Sequence, residues 1–343
     1  MNFIGSHITS IDQFTRADVE RLCAVALRME PYATRQKTTQ VLRGAVLANL
    51  FFEPSTRTRI SFHAAFSRLG GSVCDTTGFQ FSSMAKGESL YDTARVIAGY
   101  ADVIVIRHPV EGSVREFAEA VHVPVINGGD GPGEHPTQAL LDLYTIQKEF
   151  ASATLETIDE LKIAMAGDLK HGRTVHSLTK LLSLFKNVTF VFASPPELRM
   201  PGEIVEQIRK RGHTVQETDD LGKAVQDVKV VYMTRIQQER FASEEEANKF
   251  RGTFCINQKF YEKHCVPGTI LMHPLPRDSR PGANELNNDL NPNPKLAVFR
   301  QADNGIPIRM ALFALVLGVE EKIEASDDTV SWHVPRTFGR YNN

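Results

Sequence analysis

Short apolar runs alternate with amphipathic stretches along most of the chain, and the two types follow one another in turn. That alternation predicts an α/β architecture with mostly parallel sheets. A strand covered on both faces reads as a continuous apolar run, while its crossover helix reads with a 3.6-residue period. The runs that fit such strands are Val46–Phe52, Val103–Ile106, Pro124–Ile126, Leu161–Ala166, Thr189–Ala193, Val228–Met233 and Thr269–Met272. Between them, Phe62, Phe66 and Leu69 stand at i, i+4 and i+7, and Gly70-Gly71 ends that helix. Val175, Leu178, Leu182 and Phe185 repeat the helical pattern behind the Leu161–Ala166 run. His135-Pro136 opens a longer helix that runs to about Phe150.

The small, polar stretch Ala151–Glu160 follows that helix and marks the expected seam between domains. Two α/β domains linked by long helices are expected, at 1–150 and 151–305, each with a mostly parallel sheet flanked by helices. A length of 343 residues suits two such cores at roughly 100–200 residues per domain. A last apolar helix, about 306–325, is expected to pack back on the first domain. Asn284–Pro294 reads as an ordered but irregular loop, and 326–343 as a tail whose Trp332, Phe338 and Tyr341 are candidates to dock on a surface.

Composition narrows the class. Lys and Arg number 39 against 41 Asp and Glu, a net charge of −2, with 42% hydrophobic and 23% charged residues. These values exclude a disordered or collagen-like chain and give no basic surface for nucleic acid. Met1–Phe14 lacks the basic and apolar segments of a targeting signal. Met310–Val319, the longest strongly apolar stretch, is about half of the ~20 residues a membrane span needs. Cys23, Cys74, Cys255 and Cys265 form no CxxC pair, so neither a disulfide framework nor a zinc site is indicated. A cytoplasmic protein without membrane association is expected.

The candidate chemistry gathers where strands end. Glu53-Pro54-Ser55-Thr56-Arg57-Thr58-Arg59 sits between a buried strand and a helix. A helix N-terminus offers unpaired N–H groups and partial positive charge, and three hydroxyls with a guanidinium suit a phosphate. Capping alone explains one hydroxyl but not two arginines in the same turn. Arg107-His108-Pro109 follows the next strand, and His135-Pro136-Thr137-Gln138 opens a helix after a Gly-rich loop. Ligands in open α/β sheets lie beyond the carboxyl ends of strands, so Arg107 and His135 are candidates to converge on the same anion.

In the second half, Gly167–Thr174 nearly matches the P-loop spacing, with Arg173 where that motif has Lys. Arg does not replace the P-loop Lys, no Walker-B strand is evident and no G-x-G-x-x-G occurs here, so nucleotide binding is rejected. Thr234-Arg235-Ile236-Gln237 ends another strand, and Arg173 with Arg235 offers two forks for a dicarboxylate. His273-Pro274-Leu275-Pro276-Arg277 ends a third; its prolines free the carbonyls of Leu275 and Pro276 to act as acceptors. Ser82–Glu88 reads as a loop with Lys86 as a solvated charge at its tip.

Taken together and in this order, these motifs resemble the aspartate/ornithine carbamoyltransferase family over about Gly44–Leu317. His273-Pro274-Leu275-Pro276-Arg277, Gly167–Ser177 and Arg235-Ile236-Gln237 are similar to its aspartate branch. The resemblance implies transfer of a carbamoyl group from carbamoyl phosphate, bound by the first domain, to L-aspartate, bound by the second, without metal or organic cofactor. It implies that Ser55, Thr56, Arg57 and Thr58 hold phosphate, and that Thr58, Arg107 and His135 polarise the carbonyl. Gln138 and the carbonyls of Leu275 and Pro276 would orient the carbamoyl nitrogen; Arg173, Arg235 and Gln237 would hold the aspartate carboxylates. Ser82 and Lys86 match a loop that enters the neighbouring subunit's site, which implies a homotrimer and reverses the solvated reading of Lys86. Glu53 matches a position that pairs with Arg173 and Arg240 on domain closure. Regulatory chains or a dihydroorotase-like partner are compatible with the resemblance. An ornithine transferase would call for an acidic second pocket, and a noncatalytic scaffold for gaps in the reacting set; the motifs offer neither.

Overall fold

The computed structural model describes residues 1–78, 83–150, 158–237, 241, 243, 245, 248–278, 280 and 282–332. Two compact units divide the chain: Met1–Leu141 with the segment from Asn304, and Asp142–Asp303. The boundary falls inside the helix Pro136–Glu149, ahead of Ala151–Glu160; residues 151–157 of that stretch lie outside the described residues.

The first unit holds β1 (Lys37–Thr39), β2 (Val46–Phe51), β3 (Ser72–Thr77), β4 (Val103–His108) and β5 (Val125–Asp130). Its helices are α1 (Arg16–Ala33), α2 (Thr56–Arg68), α3 (Leu90–Ala98) and α4 (Ser113–Glu119), and α5 (Pro136–Glu149) starts in it. Strands β2 to β5 form one parallel sheet in the order β3-β2-β4-β5. The second unit holds β6 (Lys162–Ala166), β7 (Thr189–Ala193), β8 (Thr214–Thr218), β9 (Val230–Met233) and β10 (Ile270–Met272). They form a parallel sheet in the order β10-β9-β6-β7-β8. Its helices are α6 (Arg173–Leu182), α7 (Gly202–Lys210), α8 (Leu221–Ala224), α9 (Gln258–His264) and α10 (Val298–Asp303).

Each apolar run of the sequence lies on one of these strands, and the α/β architecture stands. Within the two parallel sheets, the strands that the apolar pattern passes over, β3 and β8, lie at the edges. In β8 no residue is buried, so its sequence, Thr-Val-Gln-Glu-Thr, needs no apolar run. Helix α1 lies outside the helical patterns named above. It begins with a reciprocal capping box between Thr15 and Asp18 and buries Val19, Leu22, Cys23, Ala26 and Met29 along one face.

The last apolar segment is α11 (Gly305–Val316), which packs against α1 and α2 within the first unit. Phe313 meets the rings of Phe62 and Phe66 edge to face, at 6.0 and 4.9 Å between centroids. The stretch read as a tail from Ser326 contributes structure at its start. Asp327–Thr329 forms β11, antiparallel to β1, and Thr39 bonds to Ser326 and to the Ile323 carbonyl. A short strand between polar neighbours carries no apolar signal, which is why the sequence pattern does not reveal it. Trp332 is exposed, and Phe338 and Tyr341 lie outside the described residues.

Candidate active site

The strand order places a topological switch point in each sheet. In the first, the chain moves from β2 to one side as β3 and to the other as β4 and β5, so the crevice lies between the carboxyl ends of β2 and β4. Those ends carry Glu53–Thr58 and Arg107. Ser55 is the N-cap of α2, yet its side chain makes no capping bond, and the first turn holds no acidic residue. The hydroxyl and the first amides of α2 therefore keep their capacity for an external anion. Thr56 and Arg57 are exposed, and Ser55 and Thr58 half-buried. Desolvation pushes the Arg57 pKa below the ordinary arginine value while leaving the group charged at neutral pH.

Arg107 is only 8% exposed. Its Nε lies 3.0 Å from Glu53 Oε2, and its Nη1 donates to the Gly128 carbonyl at 3.3 Å. The β4–β5 register slips here: Ile106 faces Asn127, but His108 faces Asp130. The extra residue is taken up at Gly128-Gly129, and Gly129 has φ +132°, which favours glycine. A Cβ at Gly129 would stand 2.8 Å from Arg107 Nη1, so the bulge makes room for the guanidinium. Glu53 thus stands beside Arg107 within its own unit, and Arg240 lies outside the described residues. His135 precedes α5 and is 4% exposed; Gln138 is half-buried in the helix's first turn. Lys86 is exposed at the end of a single 3-10 turn, Ser83–Lys86, and Ser82 lies outside the described residues.

In the second unit the switch point lies between β6 and β9, since β7 and β8 run to one side of β6 and β9 and β10 to the other. Arg173 begins α6 just beyond β6, and Arg235 and Gln237 follow β9. Asp168 binds the two segments together. It is fully buried, its Oδ1 accepts from the His171 N–H at 3.0 Å, and its Oδ2 accepts from the Gln237 N–H at 3.1 Å. The His171 ring stands 3.1 Å from the same carboxylate. Gly167, at φ +116°, lets the two strand ends close, because a Cβ there would overlap the Thr234 carbonyl. The only sequence signal for Asp168 is a lone acid between a strand-end glycine and the helix.

Beyond β10, Leu275 adopts a left-handed φ of +59° and is followed by a cis bond to Pro276. The Leu275 N–H donates to His273 Nδ1 at 2.8 Å, and the His273 N–H to Gln301 Oε1 at 2.9 Å. Burial lowers the pKa of His273, as it does for His108 and His176. With the folded-state values held below the ordinary 6.5, the unfolded chain binds more protons as the pH falls through that value. Stability is therefore expected to be full above that value and to fall with pH below it. Denaturant midpoints at pH 8, 6 and 5 test this, since carboxylates titrate lower; a constant midpoint would contradict it. Among the described residues no cluster of His, Cys, Asp and Glu could hold a metal, and no helix is long and apolar enough to cross a membrane.

Comparison with known proteins bears on both halves. Residues 6–148 match the family model described as aspartate/ornithine carbamoyltransferase, carbamoyl-P binding domain. Residues 159–316 match the companion Asp/Orn binding domain. The aspartate carbamoyltransferase catalytic subunit of Saccharophagus degradans is 62% identical over 338 residues, covering 98% of this chain and 100% of that one. Its namesake in Methanosarcina acetivorans is 47% identical over 321 residues, 94% of this chain and 100% of that one. Among solved structures, the catalytic subunit of M. jannaschii aspartate transcarbamoylase superposes with a TM-score of 0.82 at 43% identity, covering 94% and 100% of the two chains. Aspartate transcarbamoylase from Trypanosoma cruzi, solved with carbamoyl phosphate and aspartate, gives 0.84 at 38% identity over 92% and 98%. With both halves matched in sequence and 94% of the chain matched in fold, the protein belongs to the aspartate/ornithine carbamoyltransferase family.

Proposed function

We propose that this chain is an aspartate carbamoyltransferase, which transfers the carbamoyl group of carbamoyl phosphate to L-aspartate and serves de novo pyrimidine synthesis. The observation that carries the reading is the pair of switch-point sites. In one, Arg107 stands against Glu53, just ahead of the uncapped N-terminus of α2; in the other, Asp168 ties His171, two residues before Arg173, to the Gln237 N–H. The first suits a phosphate and a carbonyl. The second suits two carboxylates, because its buried acid, Asp168, is engaged by backbone N–H groups and does not offer a free anion to a cationic substrate. The high identity to chains named aspartate carbamoyltransferase catalytic subunit supports the same substrate.

In this reading Ser55, Thr56, Arg57 and Thr58 bind the phosphate. The uncharged α-amine of aspartate attacks the carbamoyl carbon; a C–N bond forms, and charge develops on the carbonyl oxygen. Thr58, Arg107 and His135 stabilise that oxygen, while Gln138, Leu275 and Pro276 orient the carbamoyl nitrogen. Collapse breaks the C–O bond, and the departing phosphate takes the amine proton. Orientation and preorganised charge supply the rate, with no covalent enzyme intermediate.

Product analysis with carbamoyl phosphate and either L-aspartate or L-ornithine tests the reading: carbamoyl-aspartate alone is expected, and citrulline would overturn it. If His135 acts by hydrogen bonding, His135→Asn retains more activity than His135→Ala; equal losses would count against that role. Lys86 and Ser82 belong, in this reading, to the site of a neighbouring chain in a homotrimer. Mixing inactive Lys86→Ala and Arg107→Leu proteins should then regenerate active sites, and a mixture no more active than its parts would remove the shared site.

A further inference from the structure

One carboxylate clamps both ends of the His273–Asp278 turn. Glu285 is 5% exposed, and its Oε1 accepts from the Asp278 N–H at 3.0 Å. The same oxygen lies 2.7 Å from His273 Nε2. Two acceptors do not sit that close without a proton between them, so Nε2 carries a proton. That leaves Nδ1 as the acceptor for the Leu275 N–H, at 2.8 Å. The other side of His273 is equally fixed. Its N–H donates to Gln301, whose amide donates to Asp142 at 2.6 Å, and Asp142 accepts from the Tyr232 hydroxyl at 2.7 Å. His273, Gln301, Asp142 and Tyr232 are all no more than 1% exposed.

A buried polar chain of this kind is costly to leave incomplete and rarely more stabilising than apolar packing. What it secures here is a conformation. Leu275 is held at a φ that non-glycine residues seldom adopt, and the carbonyls of Leu275 and Pro276 are thereby fixed in direction.

We propose that Glu285 is a positioning residue: through His273 and the Asp278 N–H it sets the Leu275–Pro276 turn, and so the enzyme's preference for an acyl phosphate bearing an NH2 group. The inference rests on the proposed role of those two carbonyls. Its readout is discrimination between carbamoyl phosphate and acetyl phosphate, which presents a methyl where the former presents NH2. A merely structural loss would weaken both ligands alike; a displaced turn weakens only the one that donates hydrogen bonds.

The experiment measures dissociation constants of both compounds by calorimetry for the full-length protein and for Glu285→Ala and Glu285→Asp. The wild type is expected to prefer carbamoyl phosphate. Each substitution is expected to narrow that ratio by about tenfold, the worth of one hydrogen bond, with acetyl phosphate binding unchanged. Glu285→Asp keeps the charge but is too short to hold both ends, so it decides the matter if Glu285→Ala does not fold. A wild-type preference that survives in the folded variants would overturn the Glu285 assignment alone. Equal binding of the two compounds by the wild type would instead overturn the carbonyl role on which the assignment rests.

Discussion

Arg107→Leu is expected to lower kcat for carbamoyl transfer by about 10²–10³, the loss typical of removing one donor to a developing oxyanion. Two effects must be separated. Arg107 is almost fully buried and lies beside Glu53, so its removal also leaves that carboxylate without this partner. Pairing the change with Glu53→Gln should recover thermal stability without recovering kcat. Arg107→Lys keeps the charge but not the planar fork that spans Glu53 and the Gly128 carbonyl, so it should lie nearer to Leu than to the wild type. A single variant within tenfold of wild-type kcat, with its melting temperature preserved, would remove Arg107 from the reaction.

Asp168→Ala should reduce kcat/KM for aspartate by at least about 100-fold. The carboxylate accepts from the N–H groups of His171 and Gln237, and its removal leaves two partly buried donors unsatisfied, at about 1 kcal/mol or more each. Relaxation of either segment moves Arg173 or Gln237 away from the geometry a dicarboxylate requires. The KM for carbamoyl phosphate should change little, because the N–H groups that Asp168 holds, those of His171 and Gln237, belong to the second unit. Asp168→Asn keeps one acceptor oxygen and should fall between alanine and wild type. Steady-state kinetics with each substrate varied in turn decides this; an effect confined to carbamoyl phosphate would place Asp168 on the other half of the reaction.

Neither Asp168 nor Glu285 was assigned a role from the sequence, whereas Arg107, Arg173 and the Ser55–Thr58 turn were. The difference is physical. A strand end followed by a helix start concentrates donors in a few consecutive residues, and that concentration is visible in one dimension. A buried carboxylate that clamps two segments draws its meaning from N–H groups far along the chain: Gln237 for Asp168, Leu275 through His273 for Glu285. The edge strand Thr214–Thr218 and the pair Lys37–Thr39 with Asp327–Thr329 escaped for a related reason, since half-exposed strands need no apolar run.

By itself, then, the sequence determined the alternation of strand and helix, the parallel sheets and the candidate clusters of hydroxyl and guanidinium groups at strand ends, because each follows from burial periodicity or local composition. Only the tertiary structure decided the strand order that makes β2/β4 and β6/β9 the switch points, the Gly128-Gly129 bulge that seats Arg107 against Glu53, and the buried carboxylates that hold the loops. Those depend on pairings between segments distant in the chain, where a hydrogen bond forms only after the intervening loop has closed.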